Sequence, residues 1–300
     1  MKKVINDPKY NFLRLDPIPS KEDVDKYYEK EFYETNSKFF NNSSLDVQEK
    51  QSEFFNSKWE KIYENCKRYF NGNLNEKNIF DIGFGFAQSL LFFRDQKKLE
   101  VSGIEPSEEG FKYAKSKGIN CYQLGIDDIK NLEIKENYDI VMLLNVLEHL
   151  RNPALTLSLI REKVLNKKGV LVLEVPNDFN HLQQVANKEF KLDEWWVIPP
   201  NHINYFSPNS LISLLRACDY DIFDYYTSFP LEMFLLFGEN YVNDRNIGTK
   251  CHEKRVRFEK LMIKHGKKRI LNQLYKSLAE IGLGRSITIY ASPKNDKNEN

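Results

Sequence analysis

The sequence has no large excess of one charge and no long apolar segment. Its 300 residues include 44 Lys and Arg against 43 Asp and Glu, which gives a net charge of +1 at pH 7. This balance gives no argument for nucleic acid or an anionic membrane surface as a partner. No apolar run approaches the roughly 20 residues of a membrane-spanning helix, and no apolar core follows the first residues as in a signal peptide. We therefore expect a cytoplasmic protein without a membrane span.

Cysteine is scarce and scattered. The four cysteines are Cys66, Cys121, Cys218 and Cys251, and no two of them lie close together in the sequence. Structural zinc sites and disulfide frameworks use closely paired cysteines, so this spacing predicts neither. We expect single thiols in a reducing compartment and no metal site.

Glycine is also scarce, at 13 residues, and two of them lie in one short turn. The apolar run Ile79–Ile82 ends just before Gly83–Gly85, and a helical pattern then begins near Leu90. A buried strand, a glycine turn and a helix bring the backbone close to a nucleotide-like ligand. A second short strand, Val101–Glu105, ends in an acid about 20 residues later, where the ribose diol of such a ligand is held.

Two residues around this turn distinguish between two classes of cofactor. A dinucleotide-binding turn has a third small residue where Gln88 stands, and a carboxylate at Asp81 would repel a pyrophosphate. An acid at this place suits a ligand that carries an ammonium and a sulfonium group. We therefore predict S-adenosylmethionine as the cofactor and reject a dinucleotide-dependent oxidoreductase.

Strand and helix patterns alternate from residue 78 onward. The predicted strands are Ile79–Ile82, Glu100–Ile104, Asn120–Leu124, Asp139–Leu144, Gly169–Val175, residues 220–228 and Arg285–Ala291. Helices are predicted to begin near Ser107, Pro153 and Ser207. This order predicts an α/β fold with a Rossmann-like, seven-stranded, mostly parallel sheet sandwiched by helices. Ligands of such sheets bind beyond the carboxyl ends of the strands, here where the first and fourth strands diverge.

Further segments are predicted on either side of this core. The expected divisions are an aromatic and helical cap in residues 1–44, the core in residues 45–230 and 283–293, a helical insertion in residues 231–282 and a disordered tail in residues 294–300. Ser20 and Asp23 predict the start of a helix in the cap. The insertion precedes the last strand and is rich in Lys and Arg. Its cations either lie on an ordinary solvated helix face or belong to a lid, where they would contact a phosphate of the acceptor.

Five motifs follow one another along the core. They are Asp81–Gly85, Gly103–Pro106, Tyr138–Pro153, Gly169–Asn177 and Pro199–Pro208. Together they resemble the class I S-adenosylmethionine-dependent methyltransferases. The likeness is closest to the small-molecule and sugar methyltransferases of bacterial surface-polysaccharide pathways. It covers roughly residues 78–228 and the last strand, and it is more specific for fold and cofactor than for the acceptor.

The resemblance implies a set of cofactor-binding residues. They are Asp81, Gly83, Gly85 and Asn145 at the methionine end, Gln88 at the start of the following helix, Glu105 at the ribose, and Ile126 with Asp127 at the adenine. Glu105 would accept hydrogen bonds from both ribose hydroxyls. The adenine position stays open within residues 125–128, and we choose Asp127 with Ile126 stacking nearby.

Two histidines are candidates for the base that a hydroxyl acceptor requires. His149 follows the fourth strand in the pair Glu148–His149, and His202 lies in a loop with aromatic residues that could line a sugar pocket. These aromatic residues are Trp195, Trp196, Tyr205 and Phe206. Both histidines also have a structural alternative, because Glu148–His149 accompanies many different acceptors in the family and His202 can simply bind the loop backbone. We favour His149 as the base and His202 as an acceptor-binding residue or second base.

These inferences lead to one main hypothesis and two alternatives. The main hypothesis is methyl transfer to a hydroxyl of a small acceptor, such as a nucleotide-linked sugar or another capsule precursor. The first alternative is C-, N- or phenolic O-methylation of another small molecule such as a quinone precursor. The second is a cofactor-binding module without catalysis. No nucleic-acid partner is expected, and a homodimer stays open.

Overall fold

The computed structural model describes residues 3–30, 52–132 and 136–294. The strands are β1 (Lys3–Asn6), β2 (Leu13–Asp16), β3 (Asn78–Ile82), β4 (Glu100–Ile104), β5 (Asn120–Tyr122), β6 (Tyr138–Leu144), β7 (Leu165–Pro176), β8 (Asn204–Tyr205), β9 (Tyr220–Thr227) and β10 (Ser286–Pro293). The helices are α1 (Lys21–Lys30), α2 (Ser52–Tyr69), α3 (Gln88–Lys97), α4 (Glu108–Ser116), α5 (Pro153–Leu159), α6 (His181–Phe190), α7 (Pro208–Ala217), α8 (Glu232–Leu236), α9 (Arg245–Lys264) and α10 (Lys268–Glu280). Residues 31–44 of the predicted cap and 295–300 of the predicted tail lie outside the described residues.

A seven-stranded sheet forms the centre of the molecule, in the order β5-β4-β3-β6-β7-β10-β9. Strand β10 runs antiparallel to both of its neighbours, and the pairs from β5 to β7 are parallel. Helices cover both faces, so the central strands are almost continuously apolar and buried, as in Ile79–Ile82. The predicted Rossmann-like fold is confirmed. The chain order reverses between β3 and β6, which puts the ligand crevice at their carboxyl ends.

Local sequence signals explain where the helices begin. The Ser20 hydroxyl accepts a hydrogen bond from the Asp23 backbone, and the Asp23 carboxylate accepts one from the Ser20 backbone, which starts α1 as predicted. Asn152 and Ser207 cap α5 and α7, and each is followed by proline at the first helical position. Within the described residues, no helix is both long and apolar enough to cross a membrane.

The residues before α1 form strands that the sequence analysis missed. Strand β2 pairs with β1 on one side and with β8 on the other, and the three strands form a small antiparallel sheet. Leu15, Trp196 and Tyr205 are buried together where the N-terminal segment meets the loop before β8. Strands of two to four residues are too short to give a recognisable alternation, which is why the sequence did not reveal them.

Helix α10 of the basic insertion packs against the core. Leu271 and Tyr275 on α10 are buried in the same cluster as Trp59 of α2. The Nζ atom of Lys268 lies 2.7 Å from Glu64, and that of Lys276 lies 2.5 Å from Asp224. These two cations therefore face α2 and β9 rather than the carboxyl ends of the central strands. They favour the first alternative, an ordinary helix surface, over the lid.

Helix α6, also missed from the sequence, begins with a buried cap that offers a test of the fold. The Asn180 side chain accepts hydrogen bonds from the backbone of Leu182 and Gln183, at 3.0 and 3.1 Å, and donates to the Asn177 carbonyl at 2.8 Å. We expect Asn180→Ala to lower the free energy of unfolding by about 1–2 kcal/mol, measured by urea denaturation. Asn209→Ala, in the exposed first turn of α7, is the control and should change it by less than ~0.5 kcal/mol. Equal losses in both variants would show that the cap contributes nothing specific.

Candidate functional site

The glycine turn lies at the carboxyl end of β3, between β3 and α3. Gly83 and Gly85 both adopt left-handed backbone angles, with φ of +74° and +56°. A Cβ atom on Gly83 would lie 2.7 Å from Cγ2 of Val146, so only glycine fits there without a shift of the neighbouring loop. Around Gly85 a Cβ atom would meet no heavy atom within 4 Å. The turn therefore presents bare backbone next to open space, as a closely bound ligand requires.

Glu105 lies across this turn, at the end of β4. Its side chain is buried, with Oε2 accepting a hydrogen bond from the Gly85 backbone at 2.7 Å and Oε1 accepting one from the Ser107 backbone at 2.9 Å. Burial raises the pKa of this carboxyl, while the bonds from Ser107 and Gly85 act in the opposite direction. Each oxygen has a second lone pair. The Ser107 hydroxyl also bonds to this carboxylate, which leaves one of the four lone pairs free. The carboxylate can therefore accept a hydrogen bond from one ribose hydroxyl directly, and from the second when the Ser107 hydroxyl rotates away.

Asp81 is a second buried carboxyl, and it lies on β3 just before the turn. It is 2% exposed, and Oδ2 accepts a hydrogen bond from the Ser89 hydroxyl at 2.5 Å. Burial raises the pKa of Asp81 to about 7, although the Ser89 hydrogen bond and the charge of Lys58 lower it. Ser89 was missed in the sequence analysis. Its place in the first turn of α3, eight residues after Asp81, is the only signal that could have revealed it.

Some of the other predicted cofactor residues also lie around the glycine turn. Ile126 places its Cδ1 atom 3.5 Å from the Cβ position of Gly83, so it lies directly over the turn. Gln88 is half-buried and is the first residue of α3. Asn145 is exposed at the end of β6, with φ of +59°, and its amide lies 3.4 Å from Glu174. Asp127 belongs to the short 3₁₀ turn Ile126–Asn131, and its side chain lies outside the described residues.

Glu148 and His149 form a 3₁₀ turn directly after β6, next to the glycine turn. His149 Nδ1 lies 2.7 Å from the backbone carbonyl of Asn201, which can only accept, so this nitrogen carries the proton. Nε2 lies 3.6 Å from Oε1 of Glu148. Burial lowers the pKa of His149 to about 3, with a further contribution from His202. Burial also raises the pKa of Glu148 well above its usual range. The imidazole is therefore neutral at pH 7.

His202 joins this pair from a distant part of the chain. The rings of His149 and His202 are 5.1 Å apart and roughly perpendicular. The backbone of Ile203 donates to the Glu148 carbonyl at 2.8 Å, which fixes the loop against the turn. His202 Nδ1 also lies 3.7 Å from Oδ2 of Asp178. The structure thus brings together all three residues that the sequence analysis selected for the acceptor side.

The aromatic residues near His202 have a different role from the one predicted. Trp196, Tyr205 and Phe206 are 2%, 2% and 1% exposed. They pack against apolar residues of the N-terminal strands and the core, because the small sheet needs its own apolar interior. Only Trp195 is half-buried. The expectation that all four line a sugar pocket is therefore wrong for the three buried ones.

An ionic network that the sequence analysis missed lies beside His202. Arg285, just before β10, places Nη1 3.4 Å from Asp178 and 3.5 Å from Glu232. Asp178 follows β7, and Glu232 is the first residue of α8. Three distant segments supply these residues, so no local pattern could have indicated them. The network makes the surroundings of His202 polar.

Comparisons with solved structures identify the same fold in known enzymes. The plantazolicin methyltransferase BamL, in complex with a triazolic desmethylPZN analog and SAH, matches with 12% identity over 91% of this chain and 95% of that chain, at a TM-score of 0.54. The plantazolicin methyltransferase BpumL, in complex with SAH, matches with 15% identity over 92% and 95%, at 0.53. Coclaurine N-methyltransferase, bound to N-methylheliamine and SAH, matches with 16% identity over 79% and 70%, at 0.50. At these identities the likeness concerns the fold.

Comparison of the sequence with protein-family models shows which family the chain belongs to. No curated protein sequence matches this chain. A family model described as a methyltransferase domain matches residues 53–224, which is more than half of the chain and includes β3 to β8 with the glycine turn, Glu105 and the two histidines. The chain therefore belongs to this methyltransferase domain family.

Proposed function

We propose that this methyltransferase transfers a methyl group from S-adenosylmethionine to a hydroxyl of a small acceptor, a nucleotide-linked sugar or another surface-polysaccharide precursor. The observation that carries the proposal is the pair of buried carboxyls, Asp81 and Glu105, on either side of a bare glycine turn. S-adenosylmethionine is the cofactor, and it supplies a methyl group already activated on a sulfonium sulfur. SAH in the solved structures of the same fold supports this choice.

The residues of the turn account for how the cofactor is held. Asp81 attracts the amino group at the methionine end of the cofactor, because a buried, ionised carboxylate interacts strongly with a cation. Glu105 accepts hydrogen bonds from the ribose, on the lone pairs that Gly85 and Ser107 leave available. Ile126 lies where it can cover the adenine. Gln88, Asp127 and Asn145 complete the proposed set.

On the acceptor side, Glu148, His149 and His202 are the proposed catalytic residues. His149 is neutral and has its proton on Nδ1, so Nε2 carries the basic lone pair. A positioned base contributes ~10²–10⁴-fold to a reaction in which a hydroxyl loses its proton, and it contributes most when its pKa lies near the working pH. Since burial lowers the pKa of His149 to about 3, we expect its contribution at or below the lower end of this range. The network of Asp178, Arg285 and Glu232 favours a polar acceptor over an apolar one.

An acceptor screen tests this function. Purified protein is incubated with S-adenosylmethionine and separate pools of nucleotide-sugars, phenols, quinone precursors and amines, and S-adenosylhomocysteine formation is measured. The expected result is turnover with nucleotide-sugars and a product heavier by one methylene group. Turnover confined to phenols, quinones or amines would reject the acceptor class. Cofactor binding without turnover in any pool would favour the non-catalytic alternative.

Asp81 should make the affinity for S-adenosylhomocysteine depend on pH. Its pKa of about 7 in the free protein means that the carboxyl is ionised above this pH and neutral below it. Since the ligand's amino group favours the ionised form, binding is strongest above pH 7 and weakens as the pH falls. We expect a loss of up to ~10-fold per pH unit below 7, measured by calorimetric titration. Asp81→Asn should bind more weakly and without this dependence. A wild-type affinity that is constant from about pH 8 to about pH 6 would contradict the assignment.

A further inference from the structure

Glu148, His149 and His202 form a compact group of metal-binding side chains. One potential ligand atom from each of the three lies within 4.8 Å of the other two. Tetrahedral zinc with bonds of ~2.0–2.1 Å holds its ligand atoms about 3.3 Å apart. Modest side-chain rotations would therefore bring the three atoms to bonding distance. One carboxylate and two histidines are also the protein ligands of many catalytic zinc and non-haem iron sites.

Two atoms of this group are buried without a hydrogen-bond partner among the described residues. They are Oε2 of Glu148, on a residue that is 2% exposed, and Nδ1 of His202, which has Oδ2 of Asp178 at 3.7 Å, beyond hydrogen-bond distance. Leaving a buried carboxylate oxygen or imidazole nitrogen unsatisfied costs roughly 1–3 kcal/mol. An unsatisfied atom of this kind calls for an explanation, and a bound ion provides one. The Oδ1 atom of Asn201, next to His202, is a third such atom.

His149 is already oriented as a metal-bound histidine is. Metal-binding histidines donate the proton of their other ring nitrogen to a carbonyl or carboxylate, which fixes the tautomer and the direction of the ring. In this protein the backbone carbonyl of Asn201 accepts this hydrogen bond, at 2.7 Å from Nδ1. The ring atom on the side of Glu148 is then Nε2, at 3.6 Å from Oε1.

We propose that Glu148, His149 and His202 bind one divalent metal ion such as Zn²⁺. No metal was predicted from the sequence, because a glutamate next to a histidine is too common a pair to indicate one. The fold adds His202, which the backbone contact between Ile203 and Glu148 and the contact between Asn201 and His149 bring next to this pair. The site adjoins the cofactor pocket, since Val146 contacts Gly83 and precedes Glu148 by two residues.

The role of the ion rests on the proposed function. A metal with an open coordination position binds the acceptor oxygen and lowers the pKa of its hydroxyl. The hydroxyl proton then passes to solvent, the oxygen forms a bond to the methyl carbon, and the bond from carbon to sulfur breaks to leave S-adenosylhomocysteine. With the ion bound, His149 is a ligand and not the base.

Metal binding can be measured without turnover. Protein stripped with a chelator is titrated calorimetrically with Zn²⁺, and the absorption of a Co²⁺-loaded sample reports the ligand field. We expect uptake of one Zn²⁺ per chain with micromolar or tighter affinity. Glu148→Gln and His202→Gln should each weaken it at least ~10-fold and change the Co²⁺ spectrum. His181→Gln, at an exposed histidine on α6, is the matched control and should bind like the wild type.

The outcomes separate this inference from the proposed function. No stoichiometric uptake by the wild type, or equal uptake by all three variants, would overturn the metal site. Each sample is also titrated with S-adenosylhomocysteine and melted thermally. If the protein binds S-adenosylhomocysteine but takes up no Zn²⁺, the metal site is rejected and the methyltransferase proposal stands. If it takes up Zn²⁺ but does not bind S-adenosylhomocysteine, the methyltransferase proposal is rejected and the metal site stands. Since His202 is less buried than Glu148, His202→Gln decides the question if Glu148→Gln fails to fold.

Discussion

Replacing Glu105 with alanine should weaken the binding of S-adenosylhomocysteine by at least about 100-fold. A hydrogen bond to a charged group contributes roughly 1.5–3 kcal/mol, so the loss of two bonds from the ribose amounts to about 3 kcal/mol or more, or ~100-fold in affinity. The variant also leaves the backbone amides of Gly85 and Ser107 without their acceptor, which loosens the turn. Calorimetric titration of both proteins measures the effect.

Glu108→Ala is the matched control for this experiment. Glu108 lies three residues further along, in the first turn of α4, where its exposed carboxylate pairs with Lys112. Its removal should leave the affinity unchanged. If Glu105→Ala bound the ligand within about threefold of the wild type while remaining folded, Glu105 would not be a ribose-binding residue. A failure of the wild type to bind would reject the cofactor itself.

Gly103→Ala should destabilise the protein by about 3 kcal/mol, because a side chain at this place has no room. Gly103 lies on β4 directly opposite Asp81 on β3. Its Cβ atom would lie 2.3 Å from the Asp81 carbonyl oxygen and 2.8 Å from Cδ1 of Phe84. The oxygen belongs to a central strand and cannot move away without separating the two strands. Urea denaturation measures the loss, and cofactor affinity should fall with it because Asp81 moves.

Gly248→Ala gives the opposite expectation and serves as the control. Gly248 lies inside α9, and the nearest heavy atom to its Cβ position is the Tyr241 carbonyl oxygen at 3.8 Å. Alanine in a helix interior is more stable than glycine by ~0.5–1 kcal/mol. The free energy of unfolding should therefore rise. Similar changes in both variants would show that the contact with Asp81 does not govern the effect of Gly103→Ala.

The residues of the proposed cofactor half of the site can largely be selected from the sequence, whereas those of the proposed acceptor half can be selected only in part. Asp81, the glycine turn and Glu105 lie within 25 residues of one another and follow from one strand–turn–helix–strand pattern. The acceptor half joins residues after β6, after β7, before β8, on α8 and before β10. The sequence selected His149 and His202 by residue type, but it did not indicate Asp178, Glu232 or Arg285. It also misassigned Trp196, Tyr205 and Phe206, since the burial of the first two depends on the small sheet and that of Phe206 on the main core.

By itself, the sequence determined the seven strands of the central sheet in their chain order, the glycine turn and the two carboxyls beside it. These features depend on apolar periodicity, on backbone freedom at Gly83 and Gly85, and on short separations along the chain. The tertiary structure alone decided which cations of the insertion form ion pairs and which aromatic rings are buried. It also decided that Glu148, His149 and His202 lie together with two of their atoms unsatisfied. The physical reason is that contacts between distant segments depend on how the elements pack, and no local pattern records that packing.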